Sequence, residues 1–201
     1  MKIHIIRHAS TKYNTMRRWQ GRIDLPLDEI GIRQAQALAL RFASVPVDRI
    51  YSSPLKRAQK TAEEIAKVHG LKVEVVEDLI ESDLSLWEGL PADKVKREFK
   101  KEYEEWATNP DAEIEGVESV RSVYERTKRA LERIYELGGE EIIVVTHAIV
   151  VRAAVCYVMK MPLESFREFV VHNASVTTAL IKDGWWRIYS LNDTSHLGVV
   201  P

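Results

Sequence analysis

The chain has 201 residues, 45% of them hydrophobic, and a formal net charge of −1. This is enough for one α/β domain with a substantial core, and the balanced charge excludes any global field for nucleic acid or an anionic membrane. A bound anion must therefore be held by a local cluster of positive groups.

The opening MKIHIIRHAS carries only a short apolar stretch, which fits neither a signal peptide nor a membrane span. A cytoplasmic protein is the default expectation. Lys2–Arg7 reads as a strand, with His8 where it ends. Gly31 opens a helical pattern, since Ala35, Leu38, Ala39 and Phe42 recur at helical spacing. Asp48–Ser52 is a second strand. Pro54 can begin a helix that runs to about Val68 and ends at His69-Gly70. Lys72–Val76 is a third strand. In Ala92–Trp106, Val95, Phe99, Tyr103 and Trp106 form one apolar stripe on a charged helix, expected to be core, with substrate pocket as the alternative.

Residues 107–116 read as loop and Glu118–Leu137 as a long amphipathic helix stopped by Gly138-Gly139. Ile142–Thr146 is the strongest strand, a continuous β-branched run suited to burial on both faces. His147 follows it, then a helix from Ala148 to Met159. The only cysteine, Cys156, lies in this apolar run and reads as core, with no internal disulfide available. Ser175–Ile181 and Trp185–Leu191 form a hairpin around Asp183-Gly184. His4 is expected as a satisfied strand residue, His172 as a weak candidate for the site, and His196 in a mobile tail.

Alternating strands and helices define a three-layer α/β/α fold with a mostly parallel sheet. One domain spans 1–201, with a small helical insertion at about 84–118 lying over the site. Ligands gather at the C-terminal ends of strands in such sheets. Arg7-His8, Ser52-Ser53 and His147 all fall at strand ends, so three separate stretches deliver polar groups to one edge.

Phosphoryl transfer needs an in-line nucleophile, positive groups around the transferring oxygens and a proton for the leaving group. Neutral imidazole is a competent nucleophile, arginine grips phosphate with its planar fork, and a carboxylic acid can protonate a departing alkoxide. Arg7-His8-Ala9-Ser10-Thr11 with Asn14 resembles the opening signature of the histidine phosphatase superfamily, also called phosphoglycerate mutase-like. Gln20-Gly21 through Asp24–Leu27 to Gly31, Gln34 and Ala35 is similar to its continuation. Ser52–Ala58 with Thr61-Ala62 resembles its second arginine motif, and Leu79-Ile80-Glu81 with Trp87-Glu88-Gly89 its acid-bearing segment. Gly116–Ser119, Val145–Ala148 and Asn173–Ser175 resemble later blocks, so the likeness runs collinearly from residue 4 to residue 178.

The resemblance implies a phosphoglycerate mutase-like fold and a role for each matching residue. His8 becomes phosphorylated. Arg7, Arg57 and His147 form the phosphate pocket. Glu81 donates the proton and later helps activate water, with Asp83 the competing acid. Asn14, Gln20 and Gly21 line the entrance or touch phosphate.

Three departures stand out. Ala9 and Ala148 place methyl groups where the backbone should approach phosphate, and Ser10 replaces an acidic residue near it. The expected activity is hydrolysis of a small phosphate ester, without metal or other cofactor. No short-spaced His, Cys or carboxylate cluster suggests a metal site. A cofactor-dependent phosphoglycerate mutase is the alternative, disfavoured by the short stretch between Glu81 and His147. A non-catalytic phosphate-binding module ranks third. Specificity is expected to reside in 84–118, where the likeness is weakest. The apolar stripes leave a homodimer open.

Overall fold

The computed structural model describes residues 1–198. In chain order the elements are β1 (Lys2–Arg7), α1 (Lys12–Thr15), α2 (Glu29–Phe42), β2 (Arg49–Ser52), α3 (Lys56–His69) and β3 (Val73–Val75). There follow α4 (Ala92–Glu98), α5 (Lys100–Thr108), α6 (Val120–Glu136), β4 (Glu141–Thr146), α7 (Ala148–Met159), β5 (Val176–Lys182) and β6 (Trp185–Asp193). Short 3-10 turns occupy Glu77–Leu79, Leu163–Ser165 and Ser195–Leu197.

The six strands lie in the order β3-β2-β4-β1-β5-β6. β3, β2, β4 and β1 pair in parallel, while β5 runs antiparallel to β1 and β6 antiparallel to β5. The most apolar run, β4, sits centrally because only there are both of its faces covered. On one face Ile3, Ile5, Ile142 and Val144 pack with Trp87, Trp106 and residues of α6 and α7. On the other, Ile6, Ile50, Ile143 and Val145 meet Leu38 and Phe42 of α2 and Ala58, Ala62 and Ile65 of α3. Full burial of each such Ile, Leu or Val stabilises the fold by about 1.5–3 kcal/mol. The three-layer expectation and the place of Cys156 in the core are borne out.

Local chemistry explains where the elements differ from expectation. α2 starts at Glu29, ahead of Gly31, because the Asp28 carboxylate caps it by accepting from Gly31 N at 2.7 Å. The stripe from Val95 to Trp106 belongs to two helices, broken at Phe99 (φ −118°, ψ 39°). The break lets Val95 and Trp106 both reach the same core, where each is almost fully buried. α5 ends at Thr108 because Pro110 forces Asn109 into extended backbone. In the β5–β6 hairpin Asp183 and Gly184 both take positive φ (53° and 75°), as a type I′ turn requires. His4 is satisfied by Thr178 and Glu141, at 3.0 and 2.8 Å. His196 departs from the expected mobile tail. It sits in the turn Ser195–Leu197, where Arg41 donates to its Nδ1 at 3.1 Å and also pairs with Asp193 at 2.6 Å.

Candidate active site

The C-terminal ends of β1, β2 and β4 meet at one sheet edge. His8 N donates to Thr146 O at 2.8 Å and Ser53 N to Val145 O at 3.0 Å, so the ladder continues one residue into the loops. This holds the bases of three functional segments in register. The His8 and His147 rings stand 5.2 Å apart between centroids.

Hydrogen bonding assigns the tautomers. His8 Nδ1–H donates to Ala9 O at 2.7 Å, which leaves the lone pair on Nε2. Arg57 Nε–H lies 3.2 Å from both His8 Nε2 and His147 Nδ1. His147 Nε2–H then donates to Ser53 Oγ at 2.6 Å. The rest of the Arg57 guanidinium is fixed by backbone: Nη1 donates to Ile23 O at 2.8 Å and Nη2 to Gly21 O at 2.7 Å. Gly21 has φ 51°, and a Cβ there would lie 2.1 Å from Glu88 Oε1. Only glycine fits where the chain turns its carbonyl to Arg57.

Burial pushes both histidines well below the usual imidazole range, and Arg57 adds to the shift at each. Both rings are therefore neutral at physiological pH. Burial also lowers Arg7 and Arg57, to about 10, so both remain charged. Burial raises the Glu81 carboxyl despite opposition from the Ser82 N–H and from Arg57, Arg126 and Arg7. Asp83 is lowered instead: its slight burial is outweighed by hydrogen bonds from Ser85 and the charge of Arg22.

A cavity of about 310 Å³ opens here. Arg7, His8, Asn14, Gln20, Gly21, Arg57 and Glu81 line it. His147 is fully buried and reaches the site through Arg57 and the contact with His8. Asp83 and the exposed His172 lie outside the lining. Asn14 and Gln20 brace the opening loop. Asn14 Oδ1 accepts from Thr11 N at 3.0 Å and Asn173 Nδ2 at 3.1 Å, and Gln20 Oε1 accepts from Thr11 Oγ1 at 2.7 Å.

Two of the departures have other consequences than expected. The Ala9 methyl packs in the core beside Ala58 and Ala62, away from the cavity, while its N–H donates to Thr61 Oγ1. Ser10 also faces away, its hydroxyl donating to Asp28 Oδ2 at 3.1 Å, so it leaves the charge of the site unaltered. Only Ala148 lines the cavity.

The structure adds residues that the motifs did not single out. Arg17, Arg18, Arg152 and Arg167 line the cavity, as do Trp19 and Trp106. The 84–118 segment contributes Leu84, Ala92 and Trp106 but no basic group. Arg152 was findable, since it follows Ala148 by one helical turn and must share its face of α7. Beneath Glu81, Arg126 donates to the carbonyls of Asp78 (2.8 Å) and Ile80, and pairs with Glu118 at 2.9 Å. Glu118 in turn accepts from Asp83 N at 3.2 Å and from Arg22, whose Nε donates to Glu81 O. The backbone on both sides of Glu81 is thus tied to one buried ion pair.

Two neutral histidines, a backbone-fixed guanidinium and a buried carboxyl thus meet at the parallel edge of the sheet. A profile of the histidine phosphatase superfamily (branch 1) matches residues 3–194, and the chain belongs to that family. It is 35% identical over 200 residues to phosphoserine phosphatase 1 of Hydrogenobacter thermophilus, covering 98% of this chain and 95% of that one. It is 30% identical over 204 residues, with the same coverage, to the probable phosphoglycerate mutase GpmB of Yersinia pestis. Among solved structures, YhfR of Bacillus stearothermophilus superposes with a TM-score of 0.90 at 27% identity, covering 98% of both chains.

Proposed function

We propose that this chain is a metal-independent phosphomonoesterase acting on a small phosphorylated metabolite through a phosphohistidine at His8. The single observation that carries the reading is the His8 tautomer. Because Nδ1–H is engaged by Ala9 O, the lone pair stands on Nε2, where it accepts from Arg57 Nε at the cavity wall.

In the first step His8 Nε2 attacks phosphorus, the ester P–O bond breaks, and Glu81 gives its proton to the departing oxygen. Arg7 and Arg57 hold the transferring oxygens, supplying charge stabilisation in place. In the second step water attacks phosphorus, Glu81 takes its proton, the P–N bond breaks, and phosphate leaves with His8 neutral again. The likeness to the phosphoserine phosphatase supports hydrolysis. The likeness to a probable mutase supports a second reading, in which a bound sugar acid replaces water.

Rapid quenching with labelled ester should trap phosphate on the protein, labile in acid and stable in alkali, and His8→Ala should abolish it. Label surviving that substitution refutes the assignment. Phosphate release should exceed interconversion of 2- and 3-phosphoglycerate by about tenfold, or about 1.4 kcal/mol in barrier. Faster interconversion reverses the order of the two readings.

A further inference from the structure

Gln34, Thr61 and Asn173 stand in the sequence motifs, yet the chemistry above does not use them. None of the three lines the cavity. Gln34 comes from α2, Thr61 from α3 and Asn173 from the loop ahead of β5. All three converge on the two peptide groups that follow the nucleophile.

The first is the peptide between His8 and Ala9. Its carbonyl accepts from Asn173 Nδ2 at 3.0 Å and from Ala174 N at 3.2 Å, and its N–H donates to Thr61 Oγ1 at 3.1 Å. The second is the peptide between Ala9 and Ser10. Its N–H donates to Gln34 Oε1 at 2.8 Å, and its carbonyl, Ala9 O, is the acceptor for His8 Nδ1 at 2.7 Å. Each plane is held at both ends, so neither can rotate without breaking a hydrogen bond. The clamping groups are themselves fixed. The Thr61 hydroxyl donates to Arg57 O at 2.7 Å, which leaves a lone pair for Ala9 N. Asn173 faces two acceptors, His8 O and Asn14 Oδ1, so its amide nitrogen must point that way. Gln34 reaches Ser10 N because α2 docks on the same backbone. Asp28 N donates to Ser10 O at 3.1 Å, and a Cβ on Gly31 would lie 2.0 Å from that oxygen.

The place of Ala9 O has two effects on His8. The hydrogen bond at one ring nitrogen decides which nitrogen keeps the lone pair. When Nε2 attacks phosphorus the ring gains positive charge, and a carbonyl dipole already aimed at Nδ1–H stabilises that charge without moving. A carbonyl free to swing gives neither. We propose that Gln34, Thr61 and Asn173 are positioning residues for phosphoryl transfer, a clamp on two successive peptides that holds Ala9 O against the His8 ring. Its chemical effect rests on the phosphohistidine reading above. Arg7 and Arg57, which grip the phosphate oxygens, are held elsewhere, by the carbonyls of Val171, Ile23 and Gly21. The clamp therefore governs the phosphorylation step and leaves anion binding alone.

Thr61→Val removes the acceptor at equal size, Thr61→Ser keeps it, and Gln34→Met tests the second peptide independently. The burst of p-nitrophenol at saturating p-nitrophenyl phosphate reads phosphorylation, and calorimetry with inorganic phosphate reads binding. Thr61→Val and Gln34→Met should each slow the burst by about ten- to a hundredfold, the scale of a small misplacement of a reacting group, with phosphate affinity within about threefold of wild type. Thr61→Ser should recover most of the burst. A wild-type burst in both Thr61→Val and Gln34→Met, phosphate affinity falling in step with the burst, or Thr61→Ser as slow as Thr61→Val would each overturn the clamp. The His8 Nδ1–H proton resonance, identified by its loss in His8→Ala, gives a readout without turnover. It should be sharp at neutral pH in wild type and Thr61→Ser, and broadened by exchange with water in Thr61→Val and Gln34→Met. A resonance equally sharp in all four proteins overturns the clamp. If the resonance behaves as stated while no ester leaves phosphate on His8, the hold on the ring stands and the phosphohistidine reading falls.

Discussion

Arg126→Met should separate the stability of the fold from the placement of its acid. The Arg126–Glu118 pair is nearly buried, with 8% and 12% of the two side chains exposed. Losing Arg126 leaves Glu118 with the more exposed Arg22 as its remaining cation and leaves the carbonyls of Asp78 and Ile80 without their donor. Breaking such a pair costs about 3–5 kcal/mol, a large share of the roughly 5–15 kcal/mol that holds a domain folded. Glu118→Leu should cost a similar amount. The double variant should cost clearly less than the two singles together, because no lone charge remains. Urea unfolding of the four proteins gives the coupling. Additivity within about 0.5 kcal/mol would show that the pair is not an energetic unit and would refute the reasoning. The same substitution frees the backbone around Glu81, so turnover of alkyl phosphates should fall more than that of p-nitrophenyl phosphate, which needs little protonation. Destabilisation with no change in that ratio would refute the positioning role.

Glu81→Gln should slow alkyl esters by about 10²–10⁴-fold while the burst of p-nitrophenol suffers much less; the same selectivity in Asp83→Asn instead would move the acid to Asp83. Chelator dialysis should leave the rate unchanged and vanadate should inhibit, because arginines carry the charge for a five-coordinate phosphorus; activity restored by magnesium or zinc would contradict this. Stability should fall as pH drops below about 6.5, the unfolded histidine value, because His8 and His147 are depressed in the fold and the unfolded chain takes up protons that the folded one refuses. Two such groups give a slope of about 2.7 kcal/mol per pH unit. Glu81, raised in the fold, acts with the opposite sign, losing stability as pH rises above its unfolded value of about 4.3. Urea titrations from pH 5 to 7.5 should show a shallower slope for His147→Gln than for wild type, by up to about 1.4 kcal/mol per pH unit, and an unchanged slope would exclude His147 as a buried neutral group.

The β-branched runs of β1 and β4 dictated the centre of the sheet, and residues next to strand ends were legible as one cluster because topology alone brings strand ends together. Side-chain direction was not legible. Ala9 and Ser10 are adjacent to His8 in sequence, yet one enters the core and the other turns to Asp28. Motif adjacency fixes backbone position, whereas the facing of each residue depends on a loop whose hydrogen bonds come from Thr61, Gln34 and Asp28. The break at Phe99 escaped periodicity for a related reason, since an apolar stripe reports which residues are buried and not whether one straight helix can bury them all. Arg126 lay on a helix whose other charged residues are at least partly solvated, and only packing shows that it is enclosed.

The surplus of positive charge around the cavity has a consequence for anyone handling the protein. Oxyanions in the medium become part of its thermodynamic definition. Any ion that occupies the folded site and not the unfolded chain adds RT ln(1 + [L]/Kd), about 2.7 kcal/mol when the ion stands at a hundred times its dissociation constant. A melting curve in phosphate or sulfate and one in a zwitterionic buffer should therefore describe two differently stable species. Within a cell, the turnover of this chain by proteases would track the local supply of its own ligands.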